Sequence, residues 1–140
     1  MPTRRGSSPI LNLWWLTMIE FTVFTTPRPW QRPRFNSKTG AVFTAPAARE
    51  YADIIRAAAV RAMEGREPFE QLVSVNLSFA RDTFCDWKRF GDVDNLSKVV
   101  LDAMNGIVYI DDSLVIELTA DKLFDVFSYV KVCVKLFGYS

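Results

Sequence analysis

The stretch GDVDNLSKVVLDAMNGIVYIDD, residues 91–112, limits most strongly what this chain can fold into. Leu96, Val99, Val100, Ala103 and Met104 recur at the spacing of one helical face, which predicts a helix over 95–105 that buries this stripe. Asn105 and Gly106 supply its stop, because both tolerate the left-handed backbone that ends helices. Carboxylates stand at both ends: Asp92 and Asp94 just before the helix, Asp111 and Asp112 about one strand's length after it. A helix placed between acids has to be buried along one side and left open at its ends.

Residues two apart on an extended segment point the same way, so Asp92 and Asp94 are expected to converge. Converging carboxylates repel unless a cation joins them. Hard oxygen donors suit Mg2+ or Mn2+, which keep several waters and take one or two protein carboxylates plus phosphate oxygens, so a phosphodiester is the implied substrate class. Neighbours on a strand face opposite sides, and only one of Asp111 and Asp112 can therefore share the site; the other is left to a turn or an outer contact. An Asp before an apolar-periodic run is also an ordinary helix cap. Capping explains one of Asp92 and Asp94 but neither the Asp111-Asp112 pair nor Lys98, which lies four residues from Asp94 on the same side.

The rest of the chain alternates strand and helix patterns. MIEFTVF (18–24), QLVSVNLSFAR (71–81), SLVIELTADKLF (113–124) and SYVKVCVKLF (128–137) alternate apolar and polar residues as half-buried strands do. Residues 41–43 read as a short strand after a turn at Lys38-Thr39-Gly40, and IVYI (107–110) reads as a segment re-entering the sheet. Residues 46–63 are helical, with Pro46 in the first turn and a stripe of Tyr51, Ile54, Ile55, Ala58 and Ala62; the helix reads as one that packs on the sheet, contact of the off-stripe Arg49, Arg56 or Arg61 with a DNA arm being the alternative. The order predicts an α+β fold: a single small domain with a mixed β-sheet and two main helices packed on it.

Three prolines within 25–35 exclude a regular element there, and Arg28, Arg32 and Arg34 interleave with Trp30 and Phe35. Guanidiniums for phosphates and aromatics for exposed bases are the ingredients of single-strand or junction binding; the bland alternative is a solvated loop whose Trp30 covers the core. Lys88 and Arg89, beside Trp87 in the loop 82–91, form a second candidate DNA contact or an ordinary surface loop. Net charge is only +1, but its distribution is uneven: Glu20 is the sole acid in 1–49, while acids outnumber bases over 82–125. A basic arm beside an acidic centre suits a nuclease, whose metal site must be negative while its substrate must be attracted. The absence of histidine rules out His-ligated zinc and a Ser-His-Asp triad. Cys85 and Cys133 are isolated, as expected for reduced thiols in a cytoplasmic protein.

The run D-V-D-N-L-x-K, then L-D-A-M-N-G, then D-D-S, with Lys122 ten residues on, resembles the signature of the RusA-like Holliday junction resolvases. A weaker likeness reaches back to the strand and Pro/Arg loop near residue 20. One position departs from the family's usual pattern, Leu114 standing where Gln is usual. The resemblance implies a RusA-like fold and metal-dependent endodeoxyribonuclease activity on four-way junctions, in recombination and repair. It implies a homodimer, acting in the cytoplasm of a bacterial or phage-infected cell. It places catalytic and metal-binding roles on Asp92, Asp94 and Asp112, with Lys98 as the basic partner and Lys122 among the DNA-facing residues. Asp102 belongs to the family motif too and reads as a structural hydrogen-bonding residue. A catalytically inactive branched-DNA-binding phage accessory protein, and a nuclease acting on flaps or forks, are the competing readings.

Residues 1–17 do not fit the rest. Arg4 and Arg5 precede the apolar run ILNLWWL, which is shorter than the ~20 residues a membrane span needs and lacks a small-residue cleavage pattern. They read as a dispensable extension to a domain of 18–140, with no membrane partner. Deleting 1–17 is expected to leave the thermal midpoint and junction affinity unchanged; loss of either in a melt or a gel shift would make the segment part of the domain.

Overall fold

The computed structural model of the protein describes residues 16–82, 84 and 86–138. The expectations for residues 1–15 and for Cys85 lie outside these. The elements run β1 (Met18–Val23), β2 (Arg34–Phe35), β3 (Val42–Phe43), α1 (Pro46–Met63), β4 (Val73–Arg81), α2 (Trp87–Phe90), α3 (Val93–Ala103), a 3-10 turn (Asp112–Leu114), β5 (Val115–Phe124) and β6 (Tyr129–Leu136).

β4 is central because its alternation is the cleanest: Val73, Val75, Leu77 and Phe79 are all buried on one side. The sheet order is β1-β6-β4-β5, antiparallel except for the β4-β5 pair. α1 packs over β1, α3 over β5, and the two helices touch each other, closing one core around Ile55, Leu96, Val100 and the buried valines of β6. The opposite face carries Asn76, Ser78, Thr119, Asp121, Lys131 and Cys133 and meets solvent. This is the α+β domain with two main helices that the sequence pattern predicts. Among the described residues no helix is long and apolar enough to cross a membrane.

α1 occupies the expected residues. Its last carbonyls are satisfied by Arg66, whose guanidinium donates to Met63 O (3.1 Å), Ala62 O (3.4 Å) and Met18 O (3.3 Å), so one side chain closes the helix and ties it to β1. The Pro/Arg loop, expected to lack regular structure, contains a two-residue ladder: Arg34 and Phe35 pair with Phe43 and Val42. Asn36 makes this possible by accepting from the amides of Lys38 (2.9 Å) and Thr39 (3.2 Å), an Asx turn that no proline interrupts.

The segment 107–110 is not a sheet strand. Val108 and Tyr109 are both fully buried, which a half-buried strand does not allow for neighbours, and their backbone pairs with Phe69 instead (Phe69 N to Val108 O, 2.8 Å; Ile110 N to Phe69 O, 3.1 Å). The Tyr109 hydroxyl donates to Leu101 O at 2.8 Å, so the ring is a wedge under α3. α3 begins two residues earlier than its apolar stripe suggests, with Asp92 as the extended residue before the first turn. Replacing Tyr109 by Phe removes that hydroxyl and leaves a part-buried carbonyl without this donor. We expect a loss of about 1 to 2 kcal/mol in a urea titration; an unchanged midpoint would show that the bond contributes nothing net.

Candidate active site

From the end of β4 the chain must turn back across the sheet to enter β5 in parallel, and α3 is the body of that crossover. The approach to α3 is fixed by Lys122, which sits on β5 opposite Phe79 of β4. Its ammonium donates to Gly91 O at 2.8 Å and reaches Trp87 O at 3.4 Å, with the Trp87 and Phe90 rings 5.4 and 5.3 Å away. Phe124, two residues on, packs against both Trp87 and Phe84 at 4.5 Å between ring centres. The short α2 is capped by Asp86, which accepts from Lys88 N at 3.1 Å. Lys122 was expected to face DNA. In the structure the half-exposed side chain gives its ammonium to two carbonyls at the α2-α3 junction, among rings that favour a cation.

A second contact brings in the basic loop. Trp30 N donates to Asn95 O at 2.9 Å, and Lys98 Nζ lies 5.4 Å from the Trp30 ring centre. Gly91 has φ +105°, and a Cβ there would meet Pro29 Cβ and Cγ at 3.0 Å, so glycine is required both by its backbone and by the approach of the loop. The segment around Arg28 and Trp30 thus lies against the first turns of α3. Arg32 and Arg34 are exposed further along the loop, and Lys88 and Arg89 are exposed on α2.

Asp92 and Asp94 are exposed at the start of α3, and Asp94 accepts from the Asn95 amide at 2.9 Å. At the other end, Asp111 accepts from Ser113 N at 3.0 Å and so caps the 3-10 turn; hydrogen bonds from the Ser113 side chain and amide hold its carboxyl below the usual range. Asp112 is half-buried and turns to the residues just after α3, where Asn105 Nδ2 donates to it at 3.3 Å. Asp102 lies beside Asp112 and 3.8 Å from Lys98 Nζ. Partial burial raises the Asp102 carboxyl pKa, Lys98 opposes that, and the Asp112 carboxylate adds to it.

Among the described residues, no three carboxylates or thiols stand close enough to hold a metal ion together, so Asp92, Asp94 and Asp112 do not form one such group. The expectation that they would converge rested on an extended backbone. Val93 and Asp94 are instead already helical, and side chains two apart on a helix do not face each other. Asp112 precedes β5 and therefore meets the far end of α3, about 12 Å along the axis from Asp94 by helix rise. The carboxylates that do come together are Asp102 and Asp112, with Lys98 and Asn105 around them. Their donor type fits a hard divalent cation, which needs only one or two protein carboxylates beside water and phosphate oxygens. Sequence reasoning undervalued Asp102. Its spacing from Asp94 and Lys98, eight and four residues, puts all three on one side of the helix and was the available signal.

A family model described as Endodeoxyribonuclease RusA matches residues 25–135, which is more than half of the chain and contains every candidate residue above. A search of curated proteins found no match.

If Lys122 holds the α2-α3 junction, Lys122→Met should loosen it without unfolding the sheet. Amide exchange over 87–92 is expected to quicken by roughly tenfold or more while β4 and β6 amides stay protected; unchanged exchange would return Lys122 to the surface role.

Proposed function

The chain belongs to the RusA family of endodeoxyribonucleases, and on that premise we propose that it cuts four-way DNA junctions by paired symmetric nicks, in a reaction that depends on Mg2+ or on Mn2+ in its place. The family is a nuclease family acting on Holliday junctions. The reading extends to a role in DNA recombination and repair in the cytoplasm of a bacterial or phage-infected cell. The observation that carries it is the Asp102-Asp112-Lys98 group set against the basic loop at Trp30: an acidic centre joined to a cationic, aromatic arm.

In this reading Asp92, Asp94 and Asp112 are the catalytic carboxylates. Asp112, with Asp102 beside it, would hold the cation, and Asp92 and Asp94 serve the same strand from the other end of α3. A bound Mg2+ supplies charge neutralisation and activates water for in-line attack on the phosphodiester. Lys98 is a compact positive charge on the exposed side of α3, suited to offset the negative charge that builds on the phosphate as the attacking oxygen adds. Asn105 orients Asp112, and Asp111 shapes the turn that presents it. Lys122 acts at one remove, by fixing the backbone from which Asp92 projects. Arg28, Trp30, Arg32, Arg34, Lys88 and Arg89 would bind the arms of the junction, guanidiniums on phosphates and the indole on an unstacked base.

Two nicks in strands of like polarity call for two equivalent sites, which a two-fold homodimer provides. Sedimentation with junction DNA should give two chains per junction; one chain per junction would remove the basis for paired cutting. The decisive assay compares a synthetic four-way junction, a flap and a linear duplex, each with and without Mg2+. Cutting of the junction alone, and only with the cation, is expected. Preferred flap cutting would favour a fork nuclease, and binding without cutting an inactive binder. Asp92→Asn, Asp94→Asn and Asp112→Asn should each keep junction affinity while cleavage falls by on the order of a hundredfold or more. Undiminished cleavage by Asp94→Asn would remove that residue from the site.

A further inference from the structure

The four-stranded sheet has two outer strands, β1 and β5. β1 is guarded: it is six residues long, Arg66 takes Met18 O at 3.3 Å, and the chain leaves it toward Pro27 and Pro29. β5 runs for ten residues without a proline or glycine and pairs only with β4. From Ile116 onward every second residue therefore turns its N–H and C=O outward, and among the described residues no group bonds to them. Lysine is a common guard on such an edge, but Lys122, the strand's one lysine, gives its ammonium to Gly91 O.

The edge is also apolar. Leu118 lies opposite Val75 on the helix side of the sheet, yet it is 45% exposed, and Ile116 is 51% exposed. α3 continues the patch. Its Asn95 meets the basic loop and its Val99 the cleft beside α1, so Val93 and Leu101, on the other flank by helix periodicity, lie toward β5, and Val93 is exposed. A long apolar edge open to solvent is a template for pairing with another strand.

The sequence of β5 selects the occupant. Antiparallel pairing of two copies about a two-fold axis normal to the sheet sets one residue opposite itself. Centres at Glu117, Thr119 or Asp121 bring carboxylates face to face, and a centre at Ala120 sets Leu118 against Lys122. Centres nearer either end shorten the ladder. A centre at Leu118 sets leucine on leucine, Glu117 on Thr119 and Ile116 on Ala120, and no charge meets a like charge.

We infer that β5 pairs antiparallel with β5 of a second copy, centred on Leu118, and joins two four-stranded sheets into one. The inference rests on the nuclease reading, from which it takes the homodimer, and supplies the interface. The axis stands normal to the sheet, so both α3 helices come to the same face, where one junction can meet both rows of acids.

Sedimentation velocity of the full chain tests it. Wild type should sediment as a dimer and Leu118→Lys as a folded monomer, with the dimer dissociation constant raised by on the order of a hundredfold or more because two lysines then meet at the axis. Amides over 117–121 should exchange roughly tenfold faster in that variant. Leu118→Cys decides the matter should a lysine there prevent folding: mild oxidation should link two chains through position 118, beyond any product of the native Cys85 and Cys133, whereas Ala120→Cys should not link. A dimeric Leu118→Lys, or linkage through 120 rather than 118, overturns the inference and leaves the dimeric nuclease standing. A wild-type chain that stays monomeric with and without junction DNA overturns both the interface and paired cutting. Protection of 117–121 that appears only with junction DNA, at one chain per junction, would give the edge to DNA and overturn the inference.

Discussion

One ammonium group ties the approach to α3 to the sheet. Lys122, half-buried on β5, donates to Gly91 O at 2.8 Å, and the aromatic rings of Trp87 and Phe90 lie beside it and favour its charge. The lysine is carried on β5, which is paired along its length with β4, so the start of the helix is indexed to the sheet. The link acts together with the packing of Trp87 and Phe84 on Phe124 and the full burial of Phe90. The basic loop then builds on the result, because the Trp30 amide takes its partner, Asn95 O, from the helix so positioned.

The parallel pairing of β4 and β5 has a further effect on the acids. A parallel neighbour forces the connecting helix to run back across the sheet, so the residues before α3 and the residues before β5 stand at opposite ends of it. Asp92 and Asp94 occupy one end, Asp102 and Asp112 the other, and Lys98 stands between them on the same side. The acidic centre is a line along a helix rather than a point.

Much of this was legible in the sequence because period and burial coincide. The strands at 18–24, 71–81 and 128–137 alternate without interruption and were found within about two residues of their ends, the usual uncertainty of such boundaries; α1 has a proline at one end and a Glu64-Gly65 pair of positive φ at the other. The segment IVYI misled because a short apolar run looks the same whether it pairs in a sheet or wedges beneath a helix; the burial of both Val108 and Tyr109 and the Tyr109 hydroxyl bond to Leu101 O distinguish them. Asp92 and Asp94 misled because the side on which a carboxylate projects depends on where the helix starts, and two residues of error reverse the answer. The inward turn of Lys122 was hidden because its partners are backbone carbonyls, which leave no trace in residue type.

The close approach of Pro29 to Gly91 ties the fates of two positions that are remote in the chain. Any side chain at 91 would press on the proline ring and lift the loop away from Asn95, separating the indole from Lys98. Drift at either position is therefore not independent. A lineage that altered one would have to shrink or reroute the other in the same stroke.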